Sequence, residues 1–211
     1  MTYTVKEIFY TLQGEGVNTG RAAVFCRFAG CNLWSGLERD RSTAICKFCD
    51  TDFVWSNDGE GGKYISPDEL AKDVLAKWPN HAGGRPLVVC TGGEPLLQVD
   101  DALIEAFHGL GFEVAVETNG TLVVPNGIDW ICVSPKARTT LLVNDGDELK
   151  LVFPQDGAMP ELFEALPFRN FFLQPMDGPD QDINILRAIE YCKGHPKWRL
   201  SIQMHKVIGI R

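Results

Sequence analysis

Short apolar runs recur along the chain, most of them ending in polar or glycine-rich groups, and segments of helical period separate several of them. Residues 3–12 (YTVKEIFYTL) read as an extended strand or hairpin arm, followed by the turn Gln13-Gly14-Glu15-Gly16. AAVFCRF at 22–28 is the first clear core strand. In it Val24, Cys26 and Phe28 share one face, Phe25 and Arg27 the other. Further strands are expected at PLVVCT, FEVAVET, WICVSPK, ELKLVF and NFFLQPMD, with WRLSIQMHKVIGI closing the chain. The continuous apolar run in PLVVCT suits a strand of a parallel sheet buried on both faces.

Helix signals fall between these runs. Ser66, Pro67 and Glu69 form an N-cap, a first-turn proline and a capping-box partner for a helix reaching about Trp78. A second helix starts at Asp100 or Asp101 and ends before Gly111, and a third is capped by Asp182 and reaches Lys193. Residues 56–62 (SNDGEGG) read as a loop, and 160–166 as a turn or two of helix. The short stretch between FEVAVET and WICVSPK leaves no room for a crossover helix. The expected fold is α/β, a parallel sheet, curled or open, with about six core parallel strands and about three helices, forming one domain over 1–211.

In such a fold, ligands bind at the carboxyl ends of the strands. Thr91, Glu94, Glu117, Asn119, Ser134, Lys136, Gln174 and Asp177 all follow apolar runs and would collect on one rim. A loop over 29–51, after the first such strand, joins that rim with Cys31, Cys46 and Cys49. Three thiolates leave one position of a metal centre open, whereas a closed structural site takes four protein ligands. Adding Cys26 would complete a zinc quartet, but strand parity turns Cys26 towards the apolar face. Phe48 could cover a cluster or a bound adenine, and the Thr51 hydroxyl is a hard oxygen donor suited to magnesium. The glycines of the Gln13–Gly16 turn leave backbone uncovered, as in a ligand contact or an ordinary hairpin loop. Arg27 needs a partner of opposite charge, either an anionic ligand or a structural carboxylate.

Composition narrows the choices. A net charge of -8 and few clustered basic residues speak against a nucleic-acid partner. With no apolar stretch of about 20 residues, no membrane span is expected, and seven unevenly spread cysteines suit a reducing cytoplasm.

The three cysteines, Phe48 and the Gly-Gly-Glu-Pro at 92–95 resemble the radical S-adenosylmethionine (SAM) superfamily. EIFYTLQGEG at 7–16, AAVFCRFAGCNLW at 22–34, CDT at 49–51, TGGEP at 91–95, ETNGT at 117–121, SPK at 134–136 and LQPMD at 173–177 are similar to the 7-carboxy-7-deazaguanine synthase family within it. The resemblance implies a partial (β/α) barrel of the radical SAM type, a [4Fe-4S] cluster on Cys31, Cys46 and Cys49, and Mg2+ at Thr51. It implies SAM bound by Phe48, Gly93, Ser134, Pro135, Lys136, Gln174, Pro175, Met176 and Asp177. Substrate-side positions are Leu12, Gln13, Gly14, Glu15, Arg27 and Thr91, with Glu117 and His205 further candidates and Arg211 left outside.

The implied reaction is a lyase step of queuosine and 7-deazapurine biosynthesis. A 5′-deoxyadenosyl radical takes hydrogen from C6 of 6-carboxy-5,6,7,8-tetrahydropterin, the ring contracts, ammonia leaves and SAM is regenerated. A homodimer and an electron donor such as flavodoxin are implied as partners. Fourteen residues separate the first two cysteines, where the superfamily usually has three. The alternatives are another small radical SAM enzyme, such as a glycyl-radical activase, and a zinc-bound interaction module.

Overall fold

The computed structural model describes residues 2–57, 60–80 and 83–211. Nine strands form one sheet: β1 (Tyr3–Leu12), β2 (Ala22–Phe28), β3 (Gly62–Tyr64), β4 (Leu87–Gly92), β5 (Glu113–Thr118), β6 (Trp130–Val133), β7 (Gly146–Phe153), β8 (Phe168–Pro175) and β9 (Trp198–Leu200). Their order is β3-β1-β2-β4-β5-β6-β7-β8-β9, so the sheet has two edges and does not close on itself. β1 pairs antiparallel with β2 and β3, while every ladder from β2 through β9 is parallel.

Side-chain parity divides the sheet into an outer apolar face and an inner chemical one. Val24, Cys26, Phe28, Val88, Cys90 and Val114 are buried in one core with residues of helices α1 (Pro67–Lys77) and α2 (Asp101–Gly109). Leu149, Leu151, Phe171 and Leu173 form a second core with Ala188 of α3 (Gln181–Gly194). The opposite parity gives a third, small cluster of Ala23, Leu87, Val89 and Ala115. Just beyond it along the same strands come Arg27, Thr91 and Glu117. Those three bring polar chemistry to the inner face because each apolar partner on the outer face already fills the helix-covered core.

Ser66 caps α1 by accepting from the Glu69 N–H at 3.2 Å, and the Glu69 carboxylate accepts from the Ile65 N–H at 3.1 Å. Asp100 caps α2, with Gly111 at φ 83° beyond its end. For α3 the N-cap position is Asp180 rather than Asp182, and no side chain bonds there. Asp182 lies in the first turn, where its charge still complements the helix dipole.

Two expectations need correction. β9 is a short edge on the parallel ladders. That strand stops at Leu200, and Met204–Ile208 forms a fourth helix, α4, closed by Gly209 in the left-handed region at φ 69°. An edge strand paired on one side only has little to hold its far half extended. Residues 58 and 59 of the expected 56–62 loop lie outside the described residues, while Gly62 begins β3. No helix among the described residues is long and apolar enough to cross a membrane.

Candidate functional site

The carboxyl ends of the parallel strands open into one cavity of about 410 Å³. Cys31, Cys46 and Cys49 line it, as do Phe48, Thr51, Gly93, Ser134, Lys136, Gln174, Pro175, Met176 and Asp177. Leu12, Gln13, Gly14, Glu15, Arg27, Thr91, Glu117 and His205 line it too. Among the expected rim and site residues, Glu94 and Pro135 are absent from the lining. Pro135 is buried, and its carbonyl accepts from Gln155 Nε2 at 3.3 Å, bracing the loop after β6.

The thiol end is built by backbone packed against backbone. A Cβ at Gly93 would stand 2.2 Å from the Gly30 carbonyl oxygen and 2.8 Å from Cys31 Cβ, so only glycine lets the end of β4 support the first cysteine. Glu94 is not a cavity group: it is fully buried, accepting from Thr118 Oγ1 and the Asn119 N–H at 2.8 Å and from the Leu96 N–H at 3.0 Å. Burial pushes its carboxyl up despite those three donors.

The long segment between Cys31 and Cys46 contains a 3₁₀ turn, Glu38–Thr43, with no buried residue. It is tied back by Arg41, whose guanidinium lies 4.0 Å from the centre of the Trp34 ring and donates to the carbonyls of Lys47 (2.9 Å) and Cys49 (3.1 Å). Trp34 packs edge-on against Phe53. The insert thus clamps the stretch that carries the second and third cysteines.

Cys26 is fully buried in the outer core, which removes the zinc quartet. No three His, Cys, Asp or Glu side chains among the described residues converge on a single-ion site. Cys46 and Cys49 are hydrogen-bonded to each other, pushing the Cys46 thiol up and lowering Cys49 to about 6. Burial raises Cys31. Three free thiols lining one pocket suit an inorganic iron–sulfur core with one open iron. Lys136, half-buried beside them, donates to the Ser134 carbonyl at 2.6 Å and to its hydroxyl at 2.7 Å.

Arg27 meets a structural carboxylate: its Nε donates to Glu7 at 2.7 Å. Its two terminal nitrogens have no hydrogen-bond partner among the described residues, so they remain available to an anion in the cavity. Arg211 also reaches this end, pairing with Glu7 at 2.6 Å and lying over the Phe9 ring. It lines the cavity, contrary to the expectation that left it outside. Asp50 and Asp52, on either side of Thr51, are paired with Lys206 at 2.6 Å and Lys6 at 2.9 Å.

The floor carries a group that the sequence reading missed. Lys150 is 5% exposed on β7 and its ammonium bridges Glu15 (2.5 Å) and Glu117 (3.2 Å). Its signal was the alternation of Glu148 and Lys150 with Leu149, Leu151 and Phe153. When helices cover the apolar side of a strand, its polar side must face the barrel interior.

Residues 41–144 match the family model of the radical SAM superfamily, a stretch that starts inside the insert and takes in Cys46 and Cys49. Over their full lengths, the chain is 61% identical to 7-carboxy-7-deazaguanine synthase of Caulobacter vibrioides and 62% identical to that of Bradyrhizobium diazoefficiens. The crystal structure of QueE from Escherichia coli superposes with a TM-score of 0.73 at 28% identity, covering 97% of this chain and 95% of that one.

Proposed function

The chain belongs to the 7-carboxy-7-deazaguanine synthase family of radical SAM enzymes, and from that premise we propose that its cavity converts 6-carboxy-5,6,7,8-tetrahydropterin to 7-carboxy-7-deazaguanine with release of ammonia. The observation that carries this reading is a single cavity lined both by three free thiols and by an arginine whose two terminal nitrogens have no partner among the described residues.

Cys31, Cys46 and Cys49 would hold a [4Fe-4S] cluster, and Phe48, Gly93, Ser134, Lys136 and Gln174 to Asp177 would hold SAM. When bound, that pair supplies the radical chemistry that begins the ring contraction. The chain's own groups do the rest. Arg27 takes the pterin carboxylate through its terminal nitrogens, a charge-assisted and directional contact. Leu12 to Glu15, Thr91 and Glu117 hold the ring, and His205, packed against Gly14, covers it from α4. Phe48 and Pro175 exclude water from the reacting carbon.

The Thr51 hydroxyl would be the protein ligand for Mg2+, since its neighbouring carboxylates are committed to lysines; bound there, the metal would orient and polarise substrate oxygens. The enzyme works as a cytoplasmic homodimer that takes electrons from a flavodoxin-like donor, checked by sedimentation and by replacing dithionite with reduced flavodoxin.

The test is anaerobic turnover of reconstituted protein with SAM, dithionite, Mg2+ and the pterin, followed by mass spectrometry. Product with loss of ammonia is expected, and Arg27→Ala should raise KM by about a hundredfold, as for a lost charged contact of about 3 kcal/mol. SAM cleavage without pterin product would move the assignment to another radical SAM reaction. Omitting Mg2+ should lower turnover in the wild type, and less so in Thr51→Ala.

A further inference from the structure

The cavity floor is an arrangement of acceptors fixed by donors from five different places in the fold. Glu117 on β5 accepts from Gln13 Nε2 (3.1 Å), Thr91 Oγ1 (3.1 Å) and Lys150 Nζ (3.2 Å). Glu15 accepts from Gln174 Nε2 (3.1 Å), Gln203 Nε2 (3.1 Å) and Lys150 Nζ (2.5 Å). A carboxylate offers about four lone-pair sites, so each retains one.

Gln174 Oε1 is also buried without a partner. Three vacant acceptors thus share one floor. Lys150 reaches Glu117 across β6 because the residue between them on the inner face, paired with both Glu117 and Glu148, is the small Cys132. Glu148 itself accepts from the Val17 N–H at 2.9 Å, below the floor.

We infer that Lys150 is the positioning residue of this floor: it holds Glu15 and Glu117 as a pair of ionised acceptors, with Gln174, for the N–H-rich ring of a reduced pterin. It acts through the two carboxylates and does not touch the ring. The inference rests on the substrate reading above.

Without the ammonium, burial favours the neutral form of Glu117, whose carboxyl Lys150 and its hydrogen bonds now hold below the usual range. A protonated carboxyl presents a hydrogen to a ring that also presents hydrogens. Other ionisable or charged groups around the pair are Glu148 on β7, Cys132 and Lys136 on and after β6, Arg27 on β2 and His205 on α4. The neighbouring positions on β4 and β8 are Thr91 and Gln174. An acid limb that appears only without Lys150 belongs to Glu117.

The test compares wild-type, Lys150→Met and Lys150→Arg holoenzyme, measuring kcat and KM for 6-carboxytetrahydropterin between about pH 6 and pH 8, with iron content and SAM cleavage alongside. In Lys150→Met, KM should rise about tenfold at pH 8 and rise further as the pH falls, with kcat less affected. Lys150→Arg should restore the wild-type pH profile. Normal iron with an unchanged KM, or a KM raised equally at every pH, would overturn the inference.

If Lys150→Met fails to fold, Lys150→Arg and Glu117→Gln decide. A new acid limb in the arginine variant, or one in the glutamine variant, which has no carboxyl to titrate at 117, would sink the idea. Absence of pterin turnover by the wild type defeats the substrate reading itself. Wild-type turnover together with an unaffected methionine variant defeats this inference alone.

Discussion

Gly93→Ala tests whether the first cysteine is placed by backbone contact. The new Cβ would meet the Gly30 oxygen at 2.2 Å, the Gly30 carbonyl carbon at 2.7 Å and Cys31 Cβ at 2.8 Å. Real contacts begin near 3.0 Å, so the 2.2 Å approach must open by about 0.8 Å (3.0 − 2.2). Backbone on both sides leaves no flexible side chain to yield. The end of β4 is also tied to this loop by the Glu94 N–H bond to the Gly30 oxygen at 3.0 Å.

Overpacking costs about 1–3 kcal/mol, and loss of that hydrogen bond adds about 1 kcal/mol. A total of about 2–4 kcal/mol is therefore expected in urea unfolding. Displacement of Cys31 should also lower iron content after anaerobic reconstitution. A variant with wild-type stability and a full iron complement would refute the idea that this close approach holds the cysteine loop.

Cys26→Ser should keep its iron and lose about 1–3 kcal/mol by burying a hydroxyl among Val24, Phe28 and Cys90, whereas Cys46→Ser should lose its iron, both read by metal analysis and urea titration. Lys206→Ala frees Asp50 and Asp177. The pairs are part-exposed, so stability should fall by less than about 1 kcal/mol, while the KM for SAM rises several-fold in steady-state assays. Donors hold Glu113 and Asp129 below their ordinary values of 4.5 and 3.8. For Glu113 the Arg21 guanidinium dominates; for Asp129 burial opposes the shift but is outweighed by the Val114 N–H and His108. Their stabilisation is complete above those ordinary values and is lost as the pH falls through the lowered folded ones. Urea midpoints should drop below about pH 4.5, and replacing Arg21 with alanine should shrink that drop.

Much of the site was legible because a strand reports its two faces directly. Parity in AAVFCRF separated Cys26 from Arg27, and apolar runs ending in polar residues placed Thr91, Glu117 and Gln174 on one rim. Lys150 was hidden by the same rule, since a lysine in ELKLVF looks like the solvent face of an amphipathic strand until helices are known to cover the leucines. The clamp of Arg41 on the Lys47 and Cys49 carbonyls depends on tertiary geometry that spacing does not encode. Pro135 was carried along by its neighbours Ser134 and Lys136, although its carbonyl faces Gln155. The helix at Met204–Ile208 was masked by an alternation that continues past Leu200, where the chain runs out of strand neighbours.

The Gln13–Gly16 turn joins distant parts of the open sheet. It leaves β1 and meets Glu148 on β7, Gln174 on β8, Ser201 after β9 and Met204 of α4. On the proposed function, fastening of the curl and recognition of the ligand therefore fall to the same few atoms. Mutational drift at Glu15 is constrained twice, by architecture and by chemistry. Arg27, whose terminal nitrogens have no hydrogen-bond partner among the described residues, is tied into the fold only through Glu7, so new substrate preferences in this lineage should arise first at Arg27 and last at the floor.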